Sequence, residues 1–334
     1  MKIKVSNILC ISIISLILIP YNIYSWGVWG HIHINRAAIF ALPDKMKSFY
    51  FNHADFITEG AVIPDLRRGI LNDRPEPPRH FLDLEAFNKN TLDNLPRSMV
   101  QIDKLYDSAF LQKNGILPWY IINLTDKLTA SFKKRNKSEI LFLSAELGHY
   151  IGDAHVPLHT TINYDGQLTN QKGIHSFWES RIPEYLGSSY NFNAGPAKYI
   201  DNIPEEIFKI IKESNELVLP LLTTEKDLLI NFNKEKLYLK DSSGNVVRSY
   251  GQPVFSNEFV KDYNEHLNGM VEMQLRKAIS DLAAFWYTAW VNAGKPELSN
   301  LDELSITKAN RKQFKKQIKK YAQGRLISLK TEKE

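Results

Sequence analysis

Apolar residues recur every three to four positions through most of this chain. In MVEMQLRKAISDLAAFWYTAWVNAGKP the positions Val271, Leu275, Ala278, Leu282, Phe285 and Ala289 share one helical face, and Gly294 and Pro296 supply a stop. The spacing predicts a long core helix, with Trp286 and Trp290 as core residues. The same period runs through 31–42, 102–112, 117–132, 139–153 and 204–222. One stretch breaks it: LYLKDSSGNVVRSY, 237–250, alternates about a Ser-Gly-Asn turn and predicts a single β-hairpin. With no internal repeat and no low-complexity linker before residue 298, the pattern predicts an all-α, single multi-helix domain carrying one small β-hairpin insertion.

The two ends depart from this pattern. Lys2 and Lys4 precede an apolar run from Ile8 to Ile19, followed by Pro20 and a small residue at Ser25. The run is short of the roughly 20 apolar residues needed to span a bilayer. Residues 1–25 therefore predict a signal peptide cut before Trp26, and a protein exported to the periplasm or secreted. The sole cysteine, Cys10, lies inside that segment, so the mature chain would hold no disulfide.

At the other end, residues 305–334 hold ten positive and two negative charges. Subtracting that tail and the leader's two lysines from the formal +5 leaves 26–304 at −5. The basic tail, 301–334, reads as a solvated terminal helix or frayed end, or as a contact to an anionic surface. The whole chain's 43% hydrophobic and 11% aromatic content suits a packed globular core, and nothing calls for an obligate protein partner.

The candidate chemistry sits in HYIGDAHVPLH, residues 149–159. On a helix, His149 and Asp153 stand four apart on one face, with β-carbons about 6 Å apart. Pro157 ends the helix, and the turn can bring His159 back toward the same point. In GIHSFWESRIP, His175 and Glu179 repeat the spacing before Pro183. One such pair arises readily by chance, but two pairs bracketing a His-containing turn point to ligation. Imidazole and carboxylate without thiolate suit zinc, although manganese or iron accept the same donors. His155, across the turn, reads as a hydrogen-bonded helper rather than a ligand.

HYIGDAHVPLH followed by HSFWE resembles the superfamily shared by bacterial zinc-dependent phospholipases C and the single-strand-specific zinc nucleases of fungi and plants. The resemblance implies an all-helical fold with three zinc ions in a cleft. It also implies that 26–300 is the catalytic domain. WGVWGH matches the family's mature start, implying that the freed amino group and carbonyl of Trp26, with His31, bind one zinc that shares Asp153. AVIPDLRR and RHFLDL imply Asp65 and His80 as ligands, with His149 and Asp153, of a second zinc, and Arg68 as a phosphate binder. His159, His175 and Glu179 would take the third. His33, two residues beyond His31, points away on its helix and is unassigned, and His53 and His266 match nothing in the family.

The activity so implied is hydrolysis of a phosphodiester by metal-activated water, with Asp65, Arg68 and Asp153 as catalytic residues. The substrate pattern is mixed. The short Trp26–His31 interval is nuclease-like, whereas Glu179 and the short His159–His175 interval are phospholipase-like. The reading leans to a phospholipase C-like enzyme acting on phospholipid. The alternatives are a single-strand nuclease or 3'-nucleotidase acting on nucleic acid, and a non-catalytic, zinc-stabilised surface-binding protein.

Overall fold

The computed structural model describes residues 27–87, 89–249, 251–301 and 308–326. The leader and Trp26 lie outside them. The fold is all-α. Helix α1, Val28–Ala41, is buried almost all round from Gly30 onward and forms the centre of the domain. A helix apolar on every side must be enclosed by others. Short helices α2, Asp44–Asn52, and α3, Ala54–Gly60, pack along its flank, and α4, Ile63–Gly69, packs against the later helix Lys137–Ala154. After α5, Met99–Ile102, and α6, Ser108–Asn114, the antiparallel pair α7, Leu117–Lys134, and α8, Lys137–Ala154, closes one wall. Their tight connection uses Arg135 in the left-handed region, φ 56°, and the Asn136 side chain, which accepts from the Glu139 N–H at 3.3 Å.

The second half holds α9, Ile174–Ser176, α10, Ile182–Leu186, α11, Ile203–Glu216, α12, Val218–Asn231, α13, Asn257–His266, α14, Met270–Asn292, and α15, Lys308–Ala322. The core lies where α1, α7, α8 and α14 meet. Trp286 and Trp290 are buried there as expected, and the Trp286 indole N–H donates to the Ser144 carbonyl at 3.1 Å, tying α14 to α8.

Three sequence expectations need correction. The helix expected over 102–112 is two helices, because Asp107 accepts from the Phe110 N–H at 2.8 Å and so caps a new start at Ser108. The helix expected over 204–222 breaks at Leu217 and resumes through Asn231; Pro220 has no N–H to extend the first segment. The hairpin expected over 237–250 is part of a three-segment meander. Lys240 pairs with Val246 about the anticipated turn, but the chain reverses again, so that β1, Arg248–Ser249, pairs antiparallel with β2, Gln252–Pro253. Leu239 N–H donates to Val254 O at 2.8 Å, closing the third segment onto the first.

The meander ends at Phe255, whose ring lies 4.4 Å from Phe177 and 4.5 Å from Phe259 between centroids. That aromatic cluster holds the segment between His175 and Glu179.

Asp83 is buried on the loop after His80, and its carboxyl is pushed up to about 7, first by burial and then by Glu85, against the opposing pull of Lys113. The folded chain thus keeps a proton that the unfolded chain releases near pH 4. Stability from this residue falls as pH rises across that window and stays low above about 7. Asp83→Asn removes the penalty. Melting curves are expected to show a gain on the order of 2–4 °C above neutrality and none in the acid range; an equal gain at both would refute the assignment.

Candidate metal centre

Seven elements deliver polar side chains to one buried locus. Helix α1 supplies His31, α4 supplies Asp65, and the 3-10 turn Pro77–His80 supplies His80. The C-terminal half of α8 supplies His149 and Asp153, and the helix stops just before the turn Pro157–Thr160, which carries His159. His175 lies on α9, and Glu179 follows on the π-helical turn Phe177–Arg181. All eight residues are buried, none above 3% exposed.

The i, i+4 geometry holds: His149 Nε2 is 3.2 Å from Asp153 Oδ2. His31 reaches this pair because α1 lies close against α8 at two glycines. A β-carbon at Gly148 would sit 1.9 Å from Asn35 Oδ1, and one at Gly152 would sit 3.1 Å from His31 Nδ1. The His31 and His149 rings therefore stack at 4.0 Å between centroids, with His31 Nε2 3.5 Å from Asp153 Oδ1. His80 Nδ1 lies 3.0 Å from both Asp153 Oδ2 and His149 Nε2, and 3.8 Å from Asp65 Oδ1.

Asp153 thus turns one oxygen to His31 and the other to His80 and His149. His159 borders Asp153 through Nδ1, 3.6 Å from Oδ1, but points its other nitrogen away: Nε2 lies 3.1 Å from His175 Nε2 and 3.6 Å from Glu179 Oε2, and His175 and Glu179 are 3.0 Å apart. Three convergent groups result, His31/His149/Asp153, Asp65/His80/His149 and His159/His175/Glu179.

These sets fit zinc. With bonds of 2.0–2.1 Å, tetrahedral zinc separates its ligands by about 3.3 Å, and the third group spans 3.0–3.6 Å. The imidazoles are oriented for it. His149 Nδ1–H donates to Ala61 O at 2.8 Å and His159 Nδ1–H to His80 O at 2.8 Å. A carbonyl only accepts, so both rings turn an Nε2 lone pair inward.

The charge balance agrees. Burial would raise the carboxyls of Asp153 and Glu179, but the surrounding imidazoles outweigh it and hold both below the usual carboxylate range. Burial, reinforced by His149, drives His31 well below its ordinary value against the pull of Asp153, keeping that ring neutral.

Arg68 lies at the edge, its side chain 18% exposed and Nη2 3.0 Å from Asp65 Oδ1. Trp26 falls outside the described residues, but Gly27 packs so closely that a β-carbon there would sit 2.5 Å from Ser180 Oγ, one residue from Glu179. His155, expected as a helper, faces away. Its Nε2 is 2.9 Å from Asp281 Oδ2 on α14 and its carbonyl accepts from Gln274, so it joins α8 to the core. His33 stacks on Trp29 at 3.8 Å and His53 meets the edge of Phe49. His266 donates to Asp262 O at 2.7 Å. All three stand apart from the cluster.

Sequence reading missed Glu76. This fully buried carboxylate sits 3.3 Å from His80 Nε2 and accepts from Tyr150 OH, Arg67 Nε at 2.9 Å and Arg79 Nη1 at 2.8 Å. Burial alone would raise its pKa, but His80, Arg67 and Tyr150 hold it well below the usual range. An ionised acceptor there keeps the proton on Nε2 and turns Nδ1 inward. The i, i+4 relation to His80 was the available signal, hidden in the proline-rich PEPPRH. Glu76→Gln is expected to weaken zinc binding about 10–100-fold in chelator competition; unchanged affinity would remove Glu76 from the account.

The solved structures similar to this chain include two clostridial alpha-toxins. Clostridium perfringens alpha-toxin from an avian strain is 16% identical with a TM-score of 0.44, covering 84% of this chain and 67% of that one. Clostridium absonum alpha toxin is 14% identical with a TM-score of 0.41, covering 82% and 66%. No curated protein matches the chain. Residues 30–241 match the family model described as zinc dependent phospholipase C, so the chain belongs to that family and is a zinc hydrolase acting on phosphoric ester bonds.

Proposed function

We propose that the chain is an exported phospholipase C-like enzyme holding three zinc ions, one in each donor group. Asp65, His80, His149 and Asp153 would hold one. The freed amino group and carbonyl of Trp26, with His31 and the shared Asp153, would hold a second. His159, His175 and Glu179 would hold the third. The observation that carries this reading is the two-sided placement of Asp153, whose oxygens face different donor sets. When bound, zinc supplies Lewis acidity, screening the diester's charge and bringing the pKa of water from 15.7 to about 7.

The chain's own groups do the rest. Asp65 accepts the proton of the attacking water, and Arg68 beside it grips two phosphate oxygens with its planar fork. A water oxygen–phosphorus bond forms and the phosphorus–oxygen bond to glycerol breaks, the departing oxygen taking a proton from solvent, which releases a diacylglycerol and a phosphorylated headgroup. Cleavage of the leader before Trp26 would convert a poor amide donor into an amine ligand, so export and maturation are one event. Among the described residues no helix is long and apolar enough to cross a membrane.

The loop between His159 and His175 favours lipid over nucleic acid. Its buried polar side chains are engaged within the protein: Asn163 accepts from Leu168 N–H, Asp165 from Gly173 N–H, and Gln171 donates to Glu225. Ile162, Tyr164 and Leu168 are left exposed, with the Tyr164 ring 6.3 Å from that of His175. Such a rim suits acyl glycerol better than a nucleobase sugar.

The test offers the mature protein phosphatidylcholine and single-stranded DNA in parallel, with and without chelator. Chelator-sensitive release of phosphocholine is expected. Cleavage of DNA alone would make the protein a nuclease. Zinc-dependent thermal stabilisation without turnover of either would make it a binding protein.

A further inference from the structure

Helix α15 is seated on the body. Tyr321 OH donates to the Gly195 carbonyl and Asn193 Nδ2 to the Tyr321 carbonyl, while Asn191 Nδ2 donates to Gly324 O at 3.0 Å. Beyond the helix, Phe192 N–H donates to Leu326 O at 2.9 Å, Leu326 N–H donates to Asn191 Oδ1 at 3.2 Å, and Leu326 is 1% exposed. Ile318 and Tyr321 pack against the core. Helix α15 is thus held to the body through its C-terminal part and the residues that follow, from Ile318 to Leu326.

Its outer face is cationic. Lys312, Lys315, Lys316, Lys319 and Lys320 are all exposed, at spacings of i, i+3, i+4, i+7 and i+8, which places them on one stripe about 12 Å long. Three like-charge pairs stand at i, i+4, a spacing at which they repel. No acid lies between Glu303 and Glu332, so no intrahelical ion pair offsets that repulsion. The body at 26–304 carries net −5, so the positive charge of the mature chain is concentrated here. A pinned, self-repelling row of ammonium groups gains most from a facing layer of anions.

We propose that the outer face of α15 docks on bilayers containing anionic phospholipid. The choice of a bilayer rests on the phospholipase reading: the substrate lies in one, and a short linear stripe can meet a flat anionic surface along its whole length.

The test is the association rate of the zinc-loaded mature protein with vesicles, followed by energy transfer from tryptophan to a labelled lipid. Phosphatidylcholine vesicles with and without phosphatidylglycerol are compared. Hydrolysis of a short-chain phosphatidylcholine below its micellar concentration is measured separately. Phosphatidylglycerol is expected to accelerate association about tenfold or more at about 0.1 M salt, an advantage lost near 1 M, where the screening length falls from about 10 Å to about 3 Å.

The variant K312Q/K315Q/K316Q/K319Q/K320Q should lose that advantage while hydrolysing the soluble lipid normally and melting no lower. Equal association with neutral and anionic vesicles, or a variant that keeps the preference, overturns the proposal. So does preferential binding to single-stranded DNA at equal phosphate. Failure to hydrolyse the soluble lipid with the vesicle preference intact would sink the phospholipase reading and leave the docking face standing.

Discussion

Asp153→Ala is expected to abolish hydrolysis, by at least about 10²–10³-fold, and to strip metal from two of the three donor groups while His159, His175 and Glu179 stay loaded. The reason is the position of this one carboxylate. Oδ1 faces His31 at 3.5 Å; Oδ2 faces His80 at 3.0 Å and His149 at 3.2 Å. Alanine leaves stacked imidazoles with the anion between them gone, and burial then acts on those rings with less to oppose it. Asp153→Asn separates charge from shape, since the amide keeps an acceptor oxygen but not the charge. Metal analysis beside turnover of a soluble diester decides: full metal content with Asp153→Ala contradicts the bridge.

Gly148→Ala is expected to destabilise the whole domain by about 3–5 kcal/mol, combining overpacking with lost buried hydrogen bonds. The added carbon would lie 1.9 Å from Asn35 Oδ1 and 2.6 Å from its Cγ. Asn35 is fully buried and donates to Ile57 O at 3.0 Å and Ala145 O at 3.1 Å, joining α1 to α3 and α8. Either Asn35 swings out and gives up both of these buried hydrogen bonds, or α1 retreats from α8 and takes His31 with it. At about 2–4 °C per kcal/mol, the melting temperature should fall by more than about 6 °C. Gly152→Ala, only 3.1 Å from His31 Nδ1, should act more locally, weakening metal binding with a smaller loss of stability. A wild-type melting temperature for Gly148→Ala would show that the two helices need no such approach.

The sequence announced α1, α7, α8 and α14 because their apolar faces repeat without interruption. It misled where a polar cap or a proline restarted a helix, at Asp107 and Pro220, since apolar period alone does not register a break that keeps phase. The meander's third segment escaped notice because Gln252–Pro253 has no alternating pattern to read.

At the site, the local pairs His149/Asp153 and His175/Glu179 were legible as helix spacing. Asp65 and His80 came only through family resemblance, since their approach to α8 is tertiary. The same limit placed His155 wrongly: its neighbourhood in the chain suggested the cluster, and packing turned it to Asp281. Gly148 and Gly152 carried a readable small-residue spacing whose meaning required a partner helix.

The zinc content of the purified mature chain, measured once its first residue is identified, decides most directly whether the donor groups are metal sites. Three zinc ions per chain are expected, one for each donor group, with one lost selectively in His175→Ala. A single zinc per chain, or a full complement that survives His175→Ala, would contradict that assignment.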